Sequence, residues 1–187
     1  MNKSICVLLS GHAGVGKTTS ARYLYNKAYD LERSVVIGSF ASSLKRVARE
    51  CFNWDGNKDL KGRALLQGIG QTARNYYPYI WVSNLIDKDL PSRTLYPFDF
   101  VFVDDCRFNN EVEYIKDNPL YQVYTVRIEA PNREILKGTK EYEEVSETEL
   151  DYYKFDYVIN NTDVYASLYK QLDVLFEETY KKNLFGG

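Results

Sequence analysis

The stretch Gly11-His12-Ala13-Gly14-Val15-Gly16-Lys17-Thr18 fits the pattern G-x-x-x-x-G-K-[ST], and it constrains this chain more than any other feature. It stands between a short apolar run, Ile5 to Leu9, and a helix-like stretch from Lys17 to about Tyr29. In that context the pattern has a mechanism. Glycines let the backbone curl around an anion without Cβ clashes, while successive N–H groups and the start of the helix face the phosphate. Gly11, Ala13, Gly14, Val15, Gly16, Lys17, Thr18 and Thr19 are therefore candidate nucleotide-binding residues. Lys17 would reach the β- and γ-phosphates and Thr18 would offer its hydroxyl to magnesium. His12 lies where backbone does the binding, so its side chain reads as incidental.

Further along, apolar runs alternate with helical patterns. Val35 to Gly38 is a second strand and leads into an amphipathic segment, Ala41 to Cys51. Residues 54 to 64 read as a loop, followed by helices from Ala64 to Asn75 and Tyr79 to Leu90, and by a loop bracketed by Pro91 and Pro97. Phe100 to Val103 reads as a strand buried on both faces, with a helix from about Asn110 to Lys116 after it. Tyr121 to Ile128 and Tyr157 to Asn160 are the last strands, and Asp163 to about Lys181 is a closing helix. Five strands alternating with helices indicate a three-layer α/β/α fold with a five-stranded, mainly parallel sheet.

At 187 residues the chain is one domain by size, with ample apolar and aromatic content for a core. A net charge of -2 argues against a broad basic surface for nucleic acid, so an anionic ligand needs a local pocket. No apolar run is long enough to cross a bilayer and no secretory signal is evident, so a soluble cytoplasmic protein is expected. Cys6, Cys51 and Cys106 lack disulfide or zinc spacing and read as buried reduced thiols. A single histidine excludes multi-histidine metal sites.

The third strand ends in Asp104-Asp105, and an acid there, beside the loop, holds magnesium through water. Either residue fits, with the other left to cap the next helix. There is no N-K-x-D tetrapeptide for guanine and no long second domain for mechanical coupling. Small size favours a phosphotransferase.

Asp105-Cys106-Arg107-Phe108-Asn109-Asn110-Glu111 resembles the D-x-R-F-x-N-E signature of the deoxynucleoside monophosphate kinases typical of tailed bacteriophages. Ser39-Phe40-Ala41 with Leu44-Lys45 is similar to that family's turn after the second strand. Leu65-Leu66-Gln67, Gly70, Arg74 and Trp81-Val82 look like its substrate-side helices, and Ser146-Glu147, Leu150 and Phe155 to Asn161 resemble its C-terminal pattern. The resemblance covers about residues 4 to 176. It implies a P-loop kinase that transfers the γ-phosphoryl group of ATP to a deoxynucleoside 5′-monophosphate, with magnesium. It also implies a core of about 1–39, 97–130 and 152–187, a monophosphate-binding region of about 40–96 and a lid of about 131–151. A basic residue or histidine is expected shortly before the Ser-Glu pair, and this chain has Glu143-Glu144-Val145 instead. That leaves Arg127 and Arg133 as the candidates for a charge clamp on the transferring group. By its own composition the acidic run Lys137 to Glu149 reads as a solvated helix.

Phosphoryl transfer needs cations on both sides of the acceptor phosphate. Arg107, whose planar fork holds two oxygens, is placed for this, with Arg74 and Lys45 completing the cradle. The acceptor base needs an apolar or aromatic slot with a few polar groups, for which Phe40, Gln67, Gln71 and Trp81 are candidates. Glu111 either holds Arg107 or meets substrate. Asn160 and Asn161, after the last strand, sit where such folds pass adenine, or form a plain turn and cap. The partners expected are a small-molecule substrate and neither nucleic acid nor membrane; a homodimer would suit the 17 tyrosines. The rival readings are a P-loop kinase of another acceptor, such as dephospho-coenzyme A or a ribonucleotide, and a non-enzymatic ATP-binding switch.

Overall fold

In a computed structural model of the chain, residues 3–94, 97–133, 137–162 and 165–185 are described. The expected helix start at Asp163, the middle of the loop before Pro97 and part of the charged stretch after Arg133 lie outside them.

Five strands, β1 (Ser4–Ser10), β2 (Val35–Gly38), β3 (Phe100–Val103), β4 (Tyr121–Glu129) and β5 (Tyr157–Asn160), form one sheet in the order β2-β3-β1-β4-β5. Every pairing is parallel, so the sheet is wholly rather than mainly parallel. Strand β1 is central and fully buried, as its unbroken apolar run requires. Its alternate residues feed two cores. Ile5, Val7 and Leu9 pack with Leu24 of α1 (Lys17–Asp30) and Leu168, Leu172 and Phe176 of α7 (Tyr165–Phe185). Cys6 and Leu8 face the other layer, with Leu44 of α2 (Ala41–Phe52) and Val112 and Ile115 of α5 (Asn109–Lys116). The period-two alternation of a strand thus creates the three layers.

Helix α3 (Leu60–Tyr76) begins four residues before the expected start, inside the stretch read as loop. Asp59 caps it, its Oδ1 accepting from the Gly62 N–H at 2.7 Å. Gly62 signals close approach rather than a turn, since a Cβ there would lie 2.0 Å from the Asn57 carbonyl oxygen. The single helix expected from Tyr79 to Leu90 is instead α4 (Ile80–Ser83), a π-helical turn at Asn84–Asp89 and a 3-10 turn at Pro91–Arg93. Leu85, Ile86 and Leu90 are all buried there. Cys6 and Cys106 are buried thiols, whereas Cys51 is exposed, because the last turn of α2 runs past the core with Phe52. No described helix is long and apolar enough to cross a membrane.

Candidate active site

The loop between β1 and α1 is built by three glycines at positive φ: Gly11 at 140°, Gly14 at 90° and Gly16 at 105°. Gly11 is held tightest, because a Cβ there would lie 2.3 Å from the Ile128 carbonyl oxygen of β4. Gly16 gives way to Asn161, whose Nδ2 donates to the Val15 carbonyl at 2.7 Å and so ties the loop to the end of β5. Lys17 folds back over the loop, its Nζ donating to the carbonyls of Gly11 (2.6 Å) and His12 (2.8 Å). Burial first, and then the Arg107 charge, push its pKa down to about 8. Thr19 is exposed on α1.

The two adjacent acids part company. Asp104 accepts from the Thr18 hydroxyl at 2.6 Å, and desolvation holds its pKa above the ordinary carboxylate range. Asp105 accepts from the Ser39 hydroxyl (2.6 Å) and from the N–H groups of Phe40 (2.8 Å) and Ala41 (3.0 Å) at the start of α2. Strand alternation explains the split. Phe100 and Phe102 face the α1 layer and Val101 and Val103 the α2 layer, so Asp104 continues the first series and Asp105 the second. The Thr18–Asp104 pair supplies oxygen atoms of the kind magnesium takes. Among the described residues no cluster of three or more His, Cys, Asp or Glu could hold a metal, so an ion here would complete its shell from nucleotide and water.

Cations gather beside the loop. Arg107 follows β3, and its backbone N–H and that of Phe108 donate to the buried Glu111 Oε2 at 2.8 and 3.1 Å. Burial lifts the Glu111 pKa to about 8. Arg74 of α3 lies 4.0 Å over the Phe108 ring and within the field of Arg107. Lys58, in the loop before α3, is held below the ordinary lysine range by partial desolvation and then by the charges of Lys45, Arg63 and Arg107. Lys45, Lys58, Arg63 and Arg74 form no ion pair among the described residues. Lys58 and Arg63 were not among the sequence candidates, since a charged loop before a helix looks like any solvated segment.

The acidic run is not a solvated helix. It contains a 3-10 turn, Lys140–Glu143, and the short α6 (Val145–Thr148), and while Glu143 and Glu144 are exposed, Glu147 and Glu149 turn toward the protein. Glu147 is buried. One of its oxygens, Oε2, accepts from the Ala13 N–H at 3.0 Å, while Oε1 takes Arg107 Nη1, which also donates to the Ser146 carbonyl. Glu149 accepts from the Asn109 N–H at 2.8 Å. His12 is far from incidental: its ring stacks on Tyr142 at 4.5 Å and its Nε2 lies 3.3 Å from Asp151 Oδ1. Arg127 is buried with its Nη2 on that same Asp151 oxygen at 2.5 Å, so its charge is already matched within the protein. Arg133 is half-buried in the turn after β4, its N–H on the Ala130 carbonyl.

The candidates for the base slot do not converge. Phe40 and Trp81 are core residues, Trp81 donating to the Gly70 carbonyl at 3.3 Å. Gln71 spends its amide on Asn75, and Gln67 is exposed on α3. Near the loop a cavity of about 170 Å³ is lined by Glu129, Pro131, Asn132, Asn160, Asn161 and Thr162. Asn161 Oδ1 is buried without a hydrogen-bond partner, and Asn160 has its N–H and carbonyl bound by Gln171.

Neither a protein-family model nor a curated protein is found to match the chain by sequence. Among solved structures it is similar to the one titled "Crystal structure of APE1195", at 16% identity over 98% of each chain with a TM-score of 0.52. Weaker likenesses are the Mycobacterium tuberculosis APS kinase CysC (12% identity, 95% of this chain and 99% of that one, TM-score 0.48) and the Aquifex aeolicus shikimate kinase (13%, 97% and 99%, 0.46). Likeness at this level concerns the fold alone. The chain has an α/β fold with an all-parallel five-stranded sheet of order β2-β3-β1-β4-β5.

Proposed function

We propose that the chain is an ATP-dependent kinase of a small phosphorylated acceptor, and specifically of a deoxynucleoside 5′-monophosphate. The observation that carries this reading is the set of cations that form no ion pair among the described residues, Lys45, Lys58, Arg63 and Arg74, gathered with Arg107 beside a phosphate loop. Unmatched charges held this close repel one another, and a bound dianion removes the cost. An alcohol acceptor would ask for a base and far less positive charge. The Arg107-Phe108-x-Asn110-Glu111 string, which resembles the deoxynucleoside monophosphate kinases, supports the narrower assignment.

In this reading the loop N–H groups from Ala13 to Thr18 hold the ATP phosphates, and Lys17 swings from the Gly11 and His12 carbonyls onto them. Thr18 and Asp104 would hold magnesium, which would supply neutralisation of phosphate charge. Lys45, Lys58, Arg63 and Arg74 orient the acceptor phosphate, and Arg107 stands between acceptor and donor. An acceptor oxygen forms the new bond to the γ-phosphorus as the bond to the β,γ-bridging oxygen breaks, the electron pair leaving with ADP. A phosphate oxygen needs no base for this, so positioning and charge carry the catalysis. Asp105 and Glu111 shape the backbone around the site, Arg127 holds Asp151 toward His12, and Arg133 belongs to the lid that residues 131–151 would form. The cavity beside Asn160 and Asn161 takes the adenine.

The test is product analysis after incubating the protein with magnesium-ATP and each deoxynucleoside monophosphate. Equimolar ADP and deoxynucleoside diphosphate are expected. Phosphorylation of dephospho-coenzyme A or ribonucleotides alone would refute the narrower assignment.

A further inference from the structure

Glu147 occupies an unusual place for a carboxylate. A phosphate loop presents N–H groups and a helix start, an environment built for the ligand's anion. Here the protein's own anion is in it. Glu147 Oε2 takes the Ala13 N–H at 3.0 Å while Oε1 takes the Arg107 guanidinium, so one buried group spans the loop and the arginine beside the cation cluster. Two further contacts lock the same segment down: Tyr142 stacks on His12, and Asp151 is held between His12 and Arg127. Ala13 stands in the loop, before the run Gly14 to Lys17 that leads into α1.

We propose that the Glu147 carboxylate is an internal stand-in for the γ-phosphoryl group. It holds Arg107 and the Ala13 N–H in the arrangement the γ-phosphoryl takes, and a nucleoside triphosphate displaces it while a diphosphate does not. This rests on the reading of the loop as an ATP site. Glu147 is a positioning residue: it keeps a partly buried arginine paired and pre-aimed while no nucleotide is bound, which avoids the cost of an unmatched charge. Its departure frees Arg107 only when a γ-phosphate arrives, so the acceptor side is completed by ATP and not by ADP. The coupling is an exchange of one anion for another at a shared pair of donors.

Calorimetric titration of the full chain with ADP and with the non-hydrolysable ATP analogue AMPPNP, both with magnesium, tests this. In the unmodified protein AMPPNP should bind no more tightly than ADP, because its additional phosphate must expel Glu147. In Glu147→Gln the ratio should shift by roughly 10-fold toward AMPPNP, and Glu147→Ala should shift it the same way. Thermal unfolding alongside checks that both variants are folded. If Glu147 merely packs α6, both affinities move together and the ratio stays constant, which overturns the proposal. Failure of the unmodified protein to bind either nucleotide would overturn the ATP-site reading and this inference with it.

Discussion

Glu111→Gln offers a sharp test of how the site is held. The Glu111 carboxyl is buried, accepts the Arg107 and Phe108 N–H groups on one oxygen, and has its pKa raised from an ordinary 4.5 to about 8 by burial. The folded protein therefore binds a proton there that the unfolded chain has already lost. Stability supplied by that proton is fully present below the unfolded pKa and falls as pH rises toward the folded one. Between about pH 5 and about pH 8 the loss amounts to about 3.5 kcal/mol, since each pH unit over which the folded chain alone keeps the proton costs about 1.4 kcal/mol. Glutamine reproduces the protonated acid: its oxygen accepts the same two N–H groups and its amide replaces the acidic hydroxyl. The variant should match the unmodified protein near pH 5 and exceed it in stability by about 3.5 kcal/mol near pH 8, measured by urea unfolding. Parallel pH profiles for the two proteins would refute the claim that Glu111 is held protonated.

Four further outcomes are expected. Lys17→Ala should remain folded and lose turnover by several orders of magnitude, because a β,γ-phosphate contact that strengthens in the transition state is gone; steady-state kinetics decides. Arg107→Lys keeps the charge but not the planar fork that meets two anions at once, and kcat should fall about 100-fold; unchanged kinetics would remove Arg107 from the site. Asp104→Asn should raise the magnesium concentration needed for activity with little effect on stability. Asp105→Ala, by contrast, strands the Phe40 and Ala41 N–H groups and should cost about 2–4 kcal/mol in unfolding experiments.

Local chemistry made much of this molecule legible from its residues. The five strands and the phosphate loop are set by apolar runs and by glycines whose positive φ leaves little alternative, and the sheet follows from their alternation with helices. The helices of the 54–90 region were harder. Gly62 punctuates a sequence like a turn, but here it admits the Asn57 carbonyl against the first turn of α3, a tertiary fact. Asp104 and Asp105 were separable in principle, because extending the in-out alternation of Phe100 to Val103 by two residues assigns one to each layer. Trp81 and Phe40 have the composition of a base slot but are drawn into the core beside β3. The inward turn of Glu147, Asp151 and Glu149 had no signal in composition. An acidic run reads as solvated until the cationic and N–H partners that it meets, Arg107, Arg127, Ala13 and Asn109, are brought in from far along the chain.

The central claim is that the cations around Arg107 receive a phosphate on the acceptor. The measurement that addresses it most directly is ADP release from magnesium-ATP, followed continuously with the four deoxynucleoside monophosphates, the ribonucleotides, the corresponding deoxynucleosides lacking phosphate, and no acceptor. ADP release that depends on the acceptor's 5′-phosphate and favours deoxyribose is the predicted result. Slow release indifferent to every acceptor would contradict the account and favour a nucleotide-binding switch.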